Sequence, residues 1–439
     1  MRILVVTNLY PPHHQGGYEL RCQQVAEHLH RQGHAVRVAT SSYRVSGSSE
    51  DARIEEDRVN DVAVTRYFRQ HRLEKWRVSG RVDNLEVVRR QFADAKRFGE
   101  ILDQVNPDVV CWWNLEGITK IPMGMAASRN IPSVHCIDDN WMIREFGPAG
   151  DADDPFWFGF WAVEWGPRLL RPIVRGCLAP VERHVGRSHV PTRVFGSPPY
   201  HACFISEFRR VQYQLAGLVA PSSEVIHGGV SPQTFHAART ASDYADGELR
   251  LLYAGFVDRK RGLHTLVEAI GLMPEPQRGR VRLSVAFPGP VGSDEYFDEV
   301  RRRIGELGLT DRVSFLRRIP HQDMPSIYAR HHMLVFTSTL NEGMPMVMME
   351  AMCAGCAVIS TGSGGAIELV ERAGLPIFPK DHPFALGRLL AELERDRPRV
   401  AAIALRGQET VQREFTMDQM LEKTTRALTR AASASQLTA

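Results

Sequence analysis

The sequence predicts an α/β protein built of two doubly wound, Rossmann-like domains facing each other across a cleft. Three observations lead there. A chain of 439 residues exceeds what one core ordinarily holds and suggests two domains of roughly 150 to 200 residues. Strand-length apolar runs alternate with helix-period segments from the first residues on, the pattern of a parallel sheet covered by helices. The alternation breaks into Pro, Gly and aromatics over about 142–202, and restarts after the polar linker "AARTASDYADGE".

In order, "RILVVTN" reads as a strand, Tyr18 to Arg31 as a helix carrying Leu20, Val25, Ala26 and Leu29, and "AVRVATS" as the next strand. Strands follow at "NPDVVCWW" and "IPSVHCID". The second series runs through "LRLLYAGFV", a helix from Gly262 to Leu272, "VRLSVAF", a helix near 295–307, "VSFLRRI", a short helix near 324–330, "MLVFTS" and "AVIST". The expected domains are 1–245, with an insertion over about 142–202, then 246–410, and a C-terminal helix within 411–439 that packs back on the first domain.

Composition narrows the function. Hydrophobic content of 43% and charged content of 24% suit a soluble enzyme. The formal charge is +3, and Lys occurs only at positions 75, 96, 120, 260, 380 and 423. That Arg bias reads as genome composition; without a Lys/Arg block, no nucleic-acid partner is expected. In "MRILVVTNLY" one Arg precedes four apolar residues, which makes a first strand and not a signal peptide. No window of roughly 18 apolar residues offers a membrane span. A cytoplasmic protein is expected, with peripheral attachment to the inner membrane face as a further option. Seven Cys are scattered, and Cys353 and Cys356 lack a second pair to complete a metal site, so buried free thiols are expected. No metal and no cofactor are anticipated. A dehydrogenase is disfavoured, because "LYPPHHQGGYE" has no GxGxxG and "VATS" ends without the acid that would hold a ribose.

Doubly wound sheets bind ligands beyond the carboxyl ends of their strands. There the stretch "TSTLNEGMPMVMMEAMCAG" supplies a loop and a helix that opens with Pro345 and stops at Gly355. The free N–H groups of Gly343 and Met344, with the positive helix end, suit a diphosphate. Glu342 and Glu350 should stand on the order of 10 Å apart, at about 1.5 Å per helical residue plus the loop. Acids in a line with phosphate-binding amides between them fit a nucleotide sugar, Glu342 holding the sugar and Glu350 the ribose.

"NEGMPMVMMEAMCAGCAVISTGSGGAIELV" closely resembles the E-x7-E region of the family 4 glycosyltransferases, also called glycosyl transferases group 1. Further likeness lies in "YPPHHQGGYE", "NPDVV", "IPSVHCIDDNW", "VIHGGVSPQTF" and "YAGFVDRKRGLHTLVEAI". The resemblance implies the GT-B fold and a retaining, metal-independent transfer from a nucleotide-sugar donor to a glycan, lipid-linked or small-molecule acceptor. It makes Glu342, Arg261 and Asp138 the catalytic candidates. Donor binding falls to Gly16, Gly17, Lys260, Ile319, Gly343, Met344, Pro345 and Glu350. Glu368 is expected to support the Gly364–Gly365 turn. Three departures from the family stand out. Phe256 and Arg261 occupy the places of an Arg and a Lys, with Lys260 or Arg259 available for a second charge. Asp138 replaces a His that contacts the transferred sugar, and a helix N-cap is its plainer role. His135 is expected to be buried in its strand.

Phe156 to Arg175 gathers aromatics beside Arg, which suits a peripheral membrane contact, a sugar-stacking wall or irregular packing. Two rivals remain: a sugar-nucleotide-binding protein with altered catalysis, and a sugar-nucleotide epimerase of the same fold. A phosphorylase is disfavoured for want of a pyridoxal lysine.

Overall fold

The computed structural model describes the chain apart from residues 15, 44–53, 70–80, 147–168, 170–171, 174–199, 246, 288–293 and 437–439. It divides into two compact units. Unit 1 comprises Met1–Ile205, Arg209–Ile226 and Leu421–Ala439; unit 2 comprises Ser206–Phe208 and His227–Met420. The backbone therefore changes unit at 205/206, 208/209, 226/227 and 420/421.

Unit 1 carries an eight-stranded sheet. Its strands are β1 (Arg2–Val6), β2 (Ala35–Ser41), β3 (Glu55–Val59), β4 (Val62–Phe68), β5 (Val109–Trp112), β6 (Ser133–Ile137), β7 (Tyr200–Phe204) and β8 (Ser222–Val225). They lie in the order β3-β4-β2-β1-β5-β6-β7-β8. Among the described strands of this sheet only β3 and β4 pair antiparallel. Ile3 to Val6 and Val109 to Trp112 are all fully buried, because central parallel strands are covered on both faces and so read as continuous apolar runs. The helix Gly17–Arg31 follows β1 and buries Cys22, Val25, Ala26 and Leu29, spaced three and four apart along one stripe.

Unit 2 carries five parallel strands: β9 (Leu249–Ala254), β10 (Val281–Phe287), β11 (Val313–Arg317), β12 (Met333–Phe336) and β13 (Ala357–Ser360). The order is β11-β10-β9-β12-β13, so the winding reverses between β9 and β12. In unit 1 the reversal lies between β1 and β5. Ligands of doubly wound sheets settle at such switch points, beyond the strand ends.

The boundary between units falls at 226/227, not at 245/246 as the polar linker suggested. Residues 227–245 belong to unit 2 because their side chains bond into it. Arg239 donates to the carbonyls of His331 at 2.7 Å and Tyr328 at 3.1 Å, and the Tyr244 hydroxyl donates to the Gly355 carbonyl. The last helix, Met417–Gln436, is counted with unit 1 from Leu421 onward. The aromatic stretch from Phe156 to Arg175 lies outside the described residues except for Leu169, Pro172 and Ile173.

Candidate functional site

The switch point of unit 2 is flanked by the loops that follow β9 and β12, and these are stitched together. Thr339 donates to the Lys260 carbonyl from its amide at 2.9 Å and its hydroxyl at 3.0 Å. The Thr337 hydroxyl reaches the Arg261 carbonyl at 2.8 Å. Gly262 closes the first loop with a φ of 73°, and a Cβ there would stand 2.5 Å from the Thr337 carbonyl oxygen, so both its conformation and its neighbour require glycine.

Arg261 and Glu342 meet in this setting. Arg261 Nη1 donates to Glu342 Oε1 at 2.8 Å, and the Ser338 hydroxyl donates to the same oxygen at 2.9 Å. The two side chains keep 25% and 19% of their exposure, so a ligand can reach both. Behind them the Gly364–Gly365 turn presses on the loop. Gly365 donates its amide to the Glu342 carbonyl at 2.8 Å, and a Cβ on Gly365 would lie 1.7 Å from the Gly343 carbonyl oxygen.

The next helix spans Met346–Cys353, and Pro345, with φ −79° and ψ 104°, precedes it as N-cap instead of opening it. Its extended ψ turns the chain into the helix. Among the described residues no acceptor takes the Gly343 and Met344 amides. They stand at the positive end of a helix dipole, an arrangement suited to phosphate oxygens.

Glu350 lies deeper, with only 5% of the residue exposed. His321 Nε2 bonds its Oε1 at 2.9 Å, and the Tyr328 hydroxyl donates to its Oε2 at 2.9 Å. The bond to Glu350 raises the His321 pKa above its usual value despite burial. Burial pushes the Tyr328 hydroxyl well up, which keeps it a donor. Ile319, half-buried, follows Arg318, whose φ is 55°.

The remaining cations differ in how the fold uses them. Arg259 pairs with Glu299 and lies over the Tyr296 ring at 5.0 Å, so it serves the surface of unit 2. Lys260 is exposed. Phe256, at the place where the resemblance leads one to expect a cation, is an apolar side chain 42% exposed.

Glu368 is bound on both oxygens, at 2.8 Å to His227 Nε2 and 2.9 Å to the Phe208 amide. Burial alone would raise its pKa, but these bonds outweigh burial and hold the carboxyl below its usual range. Glu368 thus anchors the backbone at two of the places where the chain changes unit.

In unit 1, Gly16 is the N-cap of the helix Gly17–Arg31, with its amide donated to Glu19 Oε2 at 2.9 Å. Among the described residues, a Cβ on Gly16 would meet nothing nearer than Glu19 Oε2 at 3.9 Å, so neither φ nor the described neighbours call for glycine at that turn. Asp138, directly after β6, forms an ion pair with Arg21 from that same helix, both side chains being under a tenth exposed. Arg21 also donates to the Ile226 carbonyl at 3.1 Å and lies 5.4 Å from the Trp113 ring centroid. Burial pushes the Asp138 carboxyl up to about 7 against the pull of Arg21. The cap of the following helix, Trp141–Phe146, comes instead from Asp139, whose Oδ1 accepts the Trp141 amide at 3.0 Å. His135 is 4% exposed in β6, and burial lowers its pKa to about 3.

Sequence reasoning missed Arg21, His321 and Tyr328. A buried Arg facing an acid beyond a strand end gives no local signal, since the partners stand 117 residues apart. His201, Cys203 and Glu224 bring ligand atoms within 4.8 Å of one another at β7 and β8. Arg430 already covers the Glu224 carboxylate there.

Residues 236–410 match the family model described as glycosyl transferases group 1. Over 294 residues the chain is 29% identical to a GDP-mannose-dependent alpha-(1-6)-phosphatidylinositol monomannoside mannosyltransferase of Mycobacterium tuberculosis, covering 61% of this chain and 73% of that one. It is 28% identical to the O-antigen chain mannosyltransferase B of Escherichia coli over 154 residues, 35% of this chain and 39% of that one. In fold it is similar to Anabaena HepE, solved with UDP and glucose, with a TM-score of 0.65 at 18% identity and coverage of 98% and 100%. The glycosyltransferase WaaG gives 0.61 at 17% identity, covering 97% and 99%.

Proposed function

We propose that the chain is a group 1 glycosyl transferase, as the match over residues 236–410 and the GT-B fold support, and that it moves a hexose, with retention, from a nucleoside diphosphate to an acceptor hydroxyl. The Arg261–Glu342 pair beside two free helix-end amides at the β9/β12 switch point carries the reading. Before the donor arrives, each charge satisfies the other. The diphosphate then competes for Arg261 and the sugar hydroxyls for Glu342, so the ion pair opens only onto a ligand that offers both. Charge developing on the departing diphosphate is met by Arg261 and by the Gly343 and Met344 amides, donors fixed before the reaction. The acceptor oxygen bonds C1 as the C1–phosphate bond breaks on the same face, and the hydroxyl proton passes to the leaving phosphate oxygen. Glu350 receives the ribose, and Ile319, Pro345 and Lys260 border the donor.

In unit 1, Gly16 and Gly17 admit a bound group, and Asp138 offers its Oδ2 to a sugar hydroxyl while Arg21 holds Oδ1. The relatives named as mannosyltransferases make GDP-mannose the first donor to test and UDP-glucose the second. A lipid-linked acceptor at a membrane face would engage the stretch from Phe156 to Arg175, where Leu169 and Ile173 are 92% and 63% exposed; no described helix is long and apolar enough to cross a membrane.

Release of nucleoside diphosphate by the purified chain with each donor tests the reading. Glu342→Gln should lower turnover by roughly 10²-fold, the scale for a group acting on the transition state, with affinity for the free diphosphate nearly intact. Unchanged turnover in that variant would overturn the assignment.

A further inference from the structure

Glu350 is a carboxylate on a buried helix position, held from both ends. A carboxylate offers about four lone-pair sites and can only accept. His321 Nε2 at 2.9 Å takes one site on Oε1, and the Tyr328 hydroxyl at 2.9 Å takes one on Oε2. Two sites remain, one on each oxygen, and their direction is set because both bonds fix the plane of the group. Tyr328 is fully buried on the helix Met324–Arg330. His321 stands on the turn just before it and packs on the Phe235 ring at 5.6 Å between centroids. Tyr328 is therefore not free to follow Glu350 if it swings, and His321, whose side chain is 55% exposed, is braced on one side by the Phe235 ring.

We infer that His321 and Tyr328 are positioning residues that aim Glu350 at a vicinal diol, and that they thereby make the site selective for ribonucleotide over 2′-deoxyribonucleotide donors. The inference rests on the reading of Glu350 as the ribose contact. Two remaining acceptor sites on one rigid carboxylate match two adjacent hydroxyl donors. A ligand lacking one of them leaves a buried acceptor unpaired, which is what makes such a site discriminate. A loose carboxylate could turn its remaining lone pairs to water and would tolerate the deoxy analogue. Rigidity is therefore the source of the selectivity, and it comes from residues that need not touch the donor.

The test is calorimetric titration of the chain with GDP and with 2′-deoxy-GDP, repeated with the UDP pair. Wild type should bind the ribonucleotide roughly 10- to 100-fold more tightly, the scale of one hydrogen bond to a charged group. Tyr328→Phe keeps the buried ring and removes the hydroxyl; His321→Ala removes the other support. Each should reduce the preference severalfold, chiefly by weakening the ribonucleotide, with little change for the deoxy analogue. His321→Gln, which keeps a donor near the Nε2 position, should restore most of it. A general packing defect would weaken both nucleotides alike and would not be rescued by Gln, and that result overturns the inference. Glu350→Gln separates the two layers. If it leaves ribonucleotide affinity and preference untouched, the ribose reading itself fails. If it removes the preference while Tyr328→Phe and His321→Ala keep it, only the positioning role fails.

Discussion

Replacing Asp138 by Asn keeps the shape of the side chain and removes its charge, leaving Arg21 as a cation whose side chain is 4% exposed. Losing one partner of a buried pair costs about 3–5 kcal/mol, because the other charge stays out of water. Here the lower end applies, because burial works against the Asp138 charge, lifting its carboxyl to about 7, and offsets part of what the pair contributes. Arg21 keeps its bond to the Ile226 carbonyl at 3.1 Å and its place against Trp113, and an Asn oxygen still accepts from it. At about 3 kcal/mol, and 2–4 °C per kcal/mol for a domain of this size, the unfolding transition of unit 1 should fall by about 6–12 °C. Scanning calorimetry at pH 8, above the value near 7 to which burial lifts Asp138, reads the effect with the carboxylate charged. Arg21→Met combined with Asp138→Asn removes both charges, and the pair should be less destabilised than the sum of the singles by about 2 kcal/mol, within the range found for contacting residues. A transition within 1 °C of wild type, with transfer lost, would refute this: Asp138 would then serve the sugar and Arg21 would need no counter-charge.

Arg261→Ala should cost roughly 10²- to 10³-fold in turnover, the loss expected for one transition-state donor, while Lys260→Ala, at an exposed position, should cost less than tenfold; steady-state kinetics with a saturating acceptor compares them. Gly365→Ala drives a methyl to 1.7 Å from the Gly343 carbonyl oxygen, whereas among the described residues Gly16→Ala meets nothing nearer than Glu19 Oε2 at 3.9 Å. Only the first should lower diphosphate affinity by more than tenfold in a titration of both variants. Glu368 is held below its usual 4.5 in the folded chain, so its bonds contribute fully above that value and the contribution fades as pH falls through the lower folded one. Urea midpoints measured from about pH 6 to 3 should decline more steeply for wild type than for Glu368→Gln.

Much of the fold was readable because parallel strands buried on both faces leave unbroken apolar runs. β1, β2 and β9 to β13 lie where "RILVV", "AVRVATS" and the second series put them. The edge strands gave no such signal. β3 is "EEDRV" and β8 is "SSEV", both largely polar because an edge borders solvent. The helices Pro383–Arg395 and Arg397–Glu414 were also passed over, since no strand followed to mark them. In the site, the loop carrying Glu342 and the helix behind it were legible from Pro and Gly placement. The partners of the key side chains were not. Glu350 meets residues 29 and 22 positions earlier, and pairing at that range depends on how strands order within the sheet, which local periodicity does not encode.

The short segment Ser206–Phe208, counted with unit 2 although unit 1 flanks it on both sides, bears on how hybrid enzymes could be built from this chain. A junction at 226/227 that joins residues 1–226 of a relative to 227–420 of this chain would import the relative's version of that tripeptide. Glu368 would then face a foreign backbone where it now accepts the Phe208 amide at 2.9 Å. Expression of 227–420 alone would leave the same carboxylate oxygen without that donor. Swaps with relatives should carry residues 206–208 along with unit 2, and parental thermostability in such hybrids would follow the origin of three residues more than the choice of splice point.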